Sequence, residues 1–342
     1  MVSVKKVVAS ALVGALMFTA VGCGMVEKTQ AAIDKTTVAT VNGEKITIGE
    51  VDTHLQGMFK QLETQYGKNY KENPDVAQQI LQQRKSTLQG MVSTKVLGIE
   101  AEKLGVAPKG EELTKQVDDQ FNNIKKAYGD NFDKILESEG FTQDSFKEFI
   151  KENTIAESAI NYAKKDIKVT DEEAKKYYDE NKAQFVAKDK GIMIKHLLFE
   201  NEAEAQKAYD EITSGKTTFE KLYDEYSKNK EENKKPIAED LGLVTYENSG
   251  MVKEFEDAVK TLKTGEVSKP VKTQFGYHII KAGNIYDKGA QESFDDVKPQ
   301  IMRVLKQQKE SVELQKTISK WEKELNVKTY DDKLSEGLKL NK

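Results

Sequence analysis

The sequence predicts an α+β protein in which a small antiparallel sheet interrupts a mainly helical chain. Three observations carry that expectation. Apolar residues recur at the 3.6-residue helical period through much of the chain up to about residue 182, as in Leu88, Met91, Val92, Val96 and Ile99. Two short apolar runs read as strands, GIMIKHLLF at 191–199 and YHII at 277–280, and each holds one of the chain's 3 histidines, His196 and His278. After Asp287 the helical period returns in Val297, Ile301, Val304, Leu305, Val312, Ile318, Trp321 and Leu325. A helix of that length draws most of its stability from tertiary packing, so its stripe is expected to pack back on the N-terminal helices.

At the N-terminus, Lys5 and Lys6 precede an apolar run at 7–21 that is shorter than a membrane span. Small residues follow, which is the pattern of a secretory signal over residues 1–22. Ala20-Val21-Gly22-Cys23 then resembles a bacterial lipobox, with alanine at position 20 where leucine is usual. The resemblance implies that Cys23 becomes the mature N-terminus and carries a diacylglycerol thioether. An ordinary signal peptide with an unrelated cysteine is the alternative. Cys23 is the only cysteine and has no internal disulfide partner. Two acyl chains hold a protein on a bilayer where one is marginal. Residues 23–37 then form the lipidated N-terminus and a polar tether, and the protein is expected on the extracytoplasmic face of the cell membrane.

A brief strand at 38–41, the two-residue turn Asn42-Gly43 and a returning strand at 44–48 form a hairpin signature. Thr47 with Glu50 is a capping box for the helix that follows. Gly105 and Gly140 are expected helix stops, Phe121, Ile124, Tyr128, Phe132, Ile135 and Leu136 carry a stripe between them, and Thr170 with Glu173 is a second capping box. This opening resembles the N-terminal segment of the SurA and PrsA chaperone families. Residues 38–189 are accordingly assigned to the N-terminal part of a helical chaperone domain.

Residues 190–286 change period. After the His196 strand comes a helix through Ala205, Ala208, Tyr209 and Ile212, stopped by Gly215. A second helix is capped by Thr217 and Glu220, with Phe219, Leu222 and Tyr226 inward. A charged loop over 228–240, the strand LGLV at 241–244 and a short helix near 255–262 precede the segment LKTGEVSKPVKTQFGYHIIK at 262–281. The order β-α-α-β-α-β-β fits an α+β unit with an antiparallel sheet. The two histidine strands together resemble the first and last strands of a parvulin-type peptidyl-prolyl isomerase domain. Resemblance to the PrsA family further implies that this unit is inserted, with residues 287–342 completing the helical chaperone domain.

Rotation about an X-Pro bond faces a barrier of about 18–20 kcal/mol but makes and breaks no bond. An isomerase therefore needs no nucleophile and no cofactor, only a pocket that favours the twisted amide. The parvulin resemblance implies the parts. His196 and His278 match adjacent, hydrogen-bonded imidazoles at the pocket floor, and Thr273 matches a threonine that orients them. Leu241, Met251 and Phe255 match the positions that hold the proline ring, with Phe275 beside them. Asn229 stands where the family carries cysteine or aspartate, so this catalytic position hydrogen-bonds without bringing a charge. The family's Gly-Gly-Asp-Leu-Gly turn reads Ala238-Glu239-Asp240-Leu241-Gly242. Glu200-Asn201-Glu202 replaces the basic cluster of phosphate-dependent parvulins, which implies no phosphate specificity. By residue type alone, a strand histidine is more often a satisfied core residue, and Met251 and Phe255 at i, i+4 also fit one core face of a helix. His54, on a polar helical stretch, is given no role.

The balance of 53 basic and 57 acidic residues gives a net charge of −4 and no field that favours nucleic acid. One cysteine and 3 histidines leave no His/Cys metal cluster, and HExxH, CxxC, GxSxG and a phosphate-cradling glycine loop are all missing from the sequence. The expectation is a membrane-anchored foldase that acts on unfolded or newly secreted polypeptides and isomerises their X-Pro bonds. The resemblance implies a homodimer through the N-terminal helices, unless those faces are consumed within one chain. The alternative function is a catalytically silent parvulin-fold chaperone that only holds unfolded chains. A structural envelope lipoprotein is a third class, in which the paired histidine strands are coincidence.

Overall fold

The computed structural model describes residues 28–228, 235–247 and 249–340; Cys23 and Asn229 lie outside the described residues. The chain divides into two compact units. One contains the residues up to Ala159 together with those from Trp321 onward, and the other is Ile160–Lys320.

In the first unit, α1 (Gln30–Asp34) leads into the hairpin β1 (Thr37–Val41) and β2 (Glu44–Thr47). Asn42 and Gly43 have φ of 50° and 85°, as a two-residue turn matched to the strand twist demands. Thr47 caps α2 (Ile48–Thr53): its hydroxyl accepts the Glu50 N–H, and the Glu50 carboxylate accepts the Thr47 N–H at 2.7 Å. After α3 (Gln56–Tyr66), the 30-residue α4 (Pro74–Lys103) starts on an Asn73 cap with proline at its first position. α5 (Gly110–Tyr128), α6 (Phe132–Glu139) and α7 (Gln143–Lys164) bury a cluster of Val117, Phe121, Phe132, Leu136 and Ile150.

The second unit opens with α8 (Asp171–Glu180), whose capping box joins Thr170 and Glu173. Then follow β3 (Gly191–Phe199), α9 (Glu202–Thr213), α10 (Phe219–Tyr226), β4 (Ile237–Thr245), α11 (Lys253–Thr261), β5 (Val271–Thr273), β6 (Gly276–Tyr286) and α12 (Phe294–Glu324). The sheet order is β4-β3-β6-β5, with every neighbouring pair antiparallel. Side chains alternate across it. Ile192, Ile194, Ile280 and Ala282 pack on one face with Phe255 and Val259 of α11. Leu197, Phe199 and Ile279 pack on the other with Ala205, Ala208, Phe219 and Leu222 of α9 and α10.

Two local expectations are corrected, and the burial of α12 is located. The cap of α10 is Thr218, whose hydroxyl accepts the Lys221 N–H, and not Thr217. Residues 237–240 belong to β4 and not to a charged loop, because without glycines at 238 and 239 the chain is free to extend and pair with β3. Val297 and Ile301 of α12 are buried with Ala174, Tyr178 and Phe185 inside the second unit, while Val312 in mid-helix is 66% exposed. The apolar stripe of α12 is therefore buried in parts and not along its length.

β7 (Lys328–Thr329) returns the chain to the first unit and pairs with β1, giving the order β2-β1-β7. Arg84 of α4 is fully buried. Its Nε and Nη2 donate to the two oxygens of Asp52 on α2 at 2.7 and 2.6 Å, and its Nη1 donates to the carbonyls of Leu334 and Glu336 at 2.8 and 2.9 Å. A guanidinium is held inside a protein only when it is paired this completely. Replacing Asp52 by alanine leaves that charge half-paired and is expected to cost about 3–5 kcal/mol. Urea unfolding of the full chain checks it, with the double variant Arg84→Met, Asp52→Leu expected to lose less than the single one. Equal losses in the two variants would show that the unpaired charge is not what destabilises.

Candidate functional site

The two histidines reach each other through strand register. Across the β3–β6 ladder, His196 lies opposite Ile280 and His278 lies opposite Leu198, so the imidazoles are diagonal neighbours on the same face. Their Nδ1 atoms are 3.0 Å apart, and the rings stack with centroids 5.1 Å apart and an interplanar angle of 24°. Both side chains are buried. Phe255 of α11 meets both rings edge-on, with centroids 5.7 Å from His196 and 5.2 Å from His278. That edge-to-face geometry sets the positive rim of one ring toward the π-face of another.

Each imidazole has a further partner on its other nitrogen. Thr273 Oγ1, at the end of β5, is 2.8 Å from His278 Nε2 and also accepts the Phe275 N–H at 3.0 Å. Glu239 Oε2 is 3.0 Å from His196 Nε2. The position of Glu239 depends on a bulge. Ile194 pairs with Gly242 but Lys195 pairs with Asp240, so Leu241 is an extra residue in β4, with Gly242 at φ 64°. The extra residue shifts the register of everything before it by one. Glu239 therefore faces His196, while Asp240 faces Lys195 at 3.8 Å.

Burial holds the His196 imidazole below its ordinary pKa, and the Glu239 carboxylate only partly opposes that. His278 is pushed down to about 4, by burial first and then by His196 and the Lys235 ammonium. At neutral pH both rings are uncharged. The site is an apolar floor carrying a fixed line of neutral and anionic hydrogen-bonding groups. Among the described residues it holds no activated nucleophile, and its groups suit polarising or reading an amide carbonyl without covalent chemistry.

Of the residues singled out in the sequence, His196, His278, Thr273 and Phe255 come together here. Leu241 packs against the same apolar cluster as Phe255. Met251 and Phe275 are exposed, at 36% and 54%, on the segments that precede α11 and β6. Phe275 is anchored by its own N–H on Thr273 and by its carbonyl, which accepts from the Lys235 ammonium. Glu239 and Lys235 were not among the expected site residues. A signal for Glu239 existed in Leu241-Gly242, because a glycine inside a strand pattern marks a bulge.

A second feature lies in the first unit. A groove of about 700 Å³ runs along one face of α4 at Thr87, Gly90, Met91, Thr94 and Gly98, with Phe149 of α7 on its wall. Side chains added at Gly90 or Gly98 would meet nothing within 4 Å, so the groove floor is open and not packed shut. His54 also lines it.

Comparison with known proteins gives consistent matches over the whole chain. The family profile described as a PPIC-type PPIASE domain matches residues 169–299, and that described as a SurA-like N-terminal domain matches residues 2–160. The foldase protein PrsA of Clostridium perfringens is 68% identical over 342 residues, covering 100% of both chains. That of Clostridium botulinum is 37% identical over 339 residues, covering 98% of this chain and 100% of the other. Among solved structures, PrsA from Bacillus subtilis is 26% identical with a TM-score of 0.40, covering 85% of this chain and 93% of that one.

The depressed pKa of His278 has a pH signature. The unfolded chain takes up a proton near pH 6.5 that the folded chain takes up only near 4. Stability is therefore undiminished above pH 6.5 and falls as pH drops from 6.5 toward 4. The ring protons of His278, followed by NMR, are expected to titrate with a midpoint of about 4. A midpoint near 6.5 would show that burial does not hold this imidazole neutral.

Proposed function

The chain belongs to the PrsA family of foldases and carries a PPIC-type peptidyl-prolyl isomerase domain, and from that premise we propose that it works as a lipid-anchored foldase outside the cytoplasmic membrane. Cys23 carries the lipid, the residues between it and α1 (Gln30–Asp34) are a tether shorter than the expected one because α1 and β1 already belong to the folded unit, and the module at 190–286 isomerises X-Pro bonds inserted in a helical chaperone domain. The observation that carries the reading of the site is the hydrogen-bonded pair of buried, neutral imidazoles at His196 and His278 inside the isomerase domain.

The reaction follows from that floor. Twisting an X-Pro amide removes C–N resonance and returns the nitrogen lone pair, so the carbonyl becomes more ketone-like. A dry surface of uncharged rings binds that state better than the planar, better-solvated amide, and differential binding is all the reaction needs. Leu241, Met251, Phe255 and Phe275 supply the apolar wall for the proline ring, Thr273 holds the histidine pair in register, and Asn229 offers a hydrogen bond without charge. The acidic start of α9, Glu202 and Glu204, fits clients that lack phosphate. The groove along α4 supports a second role in the same molecule, holding exposed apolar segments of unfolded secreted chains while the isomerase works on their slow prolines.

Two measurements test this. Acceleration of cis-to-trans exchange in an Ala-Pro peptide is expected from the full chain in detergent. His196→Ala or His278→Ala is expected to lower kcat/KM by roughly tenfold or more, the cost of losing one buried hydrogen-bonded group. Full activity in the double histidine variant would sink the assignment of the site. In cells, the protein is expected to incorporate labelled fatty acid and to sediment with membranes, and Cys23→Ser to abolish both. Label retained in Cys23→Ser would place the anchor elsewhere.

A further inference from the structure

The histidine pair does not stand alone. It is the middle of a four-group line: Thr273 Oγ1, His278 Nε2 and Nδ1, His196 Nδ1 and Nε2, and Glu239 Oε2, with successive contacts of 2.8, 3.0 and 3.0 Å. A neutral imidazole has one donor nitrogen and one acceptor nitrogen. Two such rings joined Nδ1 to Nδ1 can run in either of two directions. In one, Thr273 donates to His278, His278 Nδ1–H donates to His196, and His196 Nε2–H donates to Glu239. In the other, every proton lies on the opposite side of its bond.

The Thr273 end does not choose between them. Its oxygen has two lone pairs, one taken by the Phe275 N–H, and its hydroxyl is able either to donate to His278 or to accept from it. A carboxylate, by contrast, only accepts. The choice therefore falls to the other end, and the geometry points to Glu239 as the positioning residue that fixes the tautomers of both imidazoles, with the proton on His196 Nε2 and on His278 Nδ1.

The position of Glu239 makes this a built arrangement. Were the β3–β4 ladder regular through Leu241 instead of bulged, Asp240 would sit opposite His196, on a side chain one carbon shorter. Glu239 is 55% exposed while His196 is 5% exposed, so the carboxylate stands in contact with water at the outer end of the line. With both rings neutral each has one donor and one acceptor nitrogen, so the line runs in a single sense from end to end. Among the described residues, the charged groups that act on it are Glu239 on β4 and Lys235 just before β4, with Lys235 donating to the Phe275 carbonyl. The substrate carbonyl then meets dipoles of one fixed sense.

The catalytic consequence rests on the isomerase reading above, but the tautomers do not. The test uses the full chain with its 3 histidines labelled at the ring nitrogens, so that long-range proton–nitrogen spectra assign each tautomer directly. The wild type is expected to show His196 protonated on Nε2 and His278 on Nδ1. Glu239→Lys puts a donor where the acceptor was, and both rings are expected to switch, with kcat/KM lowered about tenfold. Glu239→Gln retains an accepting oxygen and is expected to keep the wild-type tautomers and activity within about threefold. Because Glu239 is half exposed, both variants are expected to fold. The inference is overturned if the wild type shows the opposite order, or if Glu239→Lys keeps the wild-type order. Ordered tautomers in a wild-type chain that does not isomerise would sink the isomerase reading alone.

Discussion

Two imidazoles placed under the apolar face of a helix have to satisfy each other, and much of the second unit is arranged around that requirement. A buried polar group without a partner costs about 1–3 kcal/mol, and two rings present four nitrogens. All four are accounted for by the partners described: each ring by the other, by Thr273 and by Glu239. Among the described residues no buried side-chain nitrogen or oxygen lacks a partner. The pair in turn dictates which strands lie in the middle of the sheet. β3 and β6 are central, and the edges β4 and β5 each contribute the terminal partner of the line.

Turns and bulges deliver those partners. Gly276, with φ of 133°, lies against the carbonyl of Phe199 so closely that a side chain would collide with it. It opens β6 where the chain must pass close to the end of β3. The bulge at Leu241 acts in the edge strand β4, trading Asp240 for Glu239 beside His196. Small backbone irregularities, one at the start of central strand β6 and one within edge strand β4, thus decide the chemistry at the sheet's centre.

Local signals in the sequence were strong wherever one residue type answered one backbone need. Asn42-Gly43, the boxes at Thr47 and Thr170, and the glycine at 140 sit where turn and capping chemistry put them. The order of strands and helices in the isomerase module followed from period together with caps and glycine stops. What periodicity did not carry was register. Thr217 and Thr218 are both competent caps, and only the packing of Phe219 selects between them. Glu239 looked like a lost glycine because its role appears only once an extra residue in β4 turns it toward His196. The burial of α12 was legible as a stripe but not in its distribution, since Val312 obeys the spacing and still faces water. Pairing distances, ring stacking and the direction of the hydrogen-bond line belong to tertiary structure and have no signature in spacing.

Arg84 joins the carbonyls of Leu334 and Glu336 to α4, some 250 residues earlier in the chain. The first unit therefore contains both the first-made and the last-made parts of the described protein, whereas the second is one contiguous stretch. A chain that emerges from a ribosome or a translocation pore N-terminus first has its isomerase unit complete while the first unit still lacks β7 and the residues that clamp Arg84. The guanidinium waits in an unfinished core until the tail arrives. Emergence is vectorial but closure is not: the inserted unit has everything it needs first, and the unit that begins the chain is the last to lock.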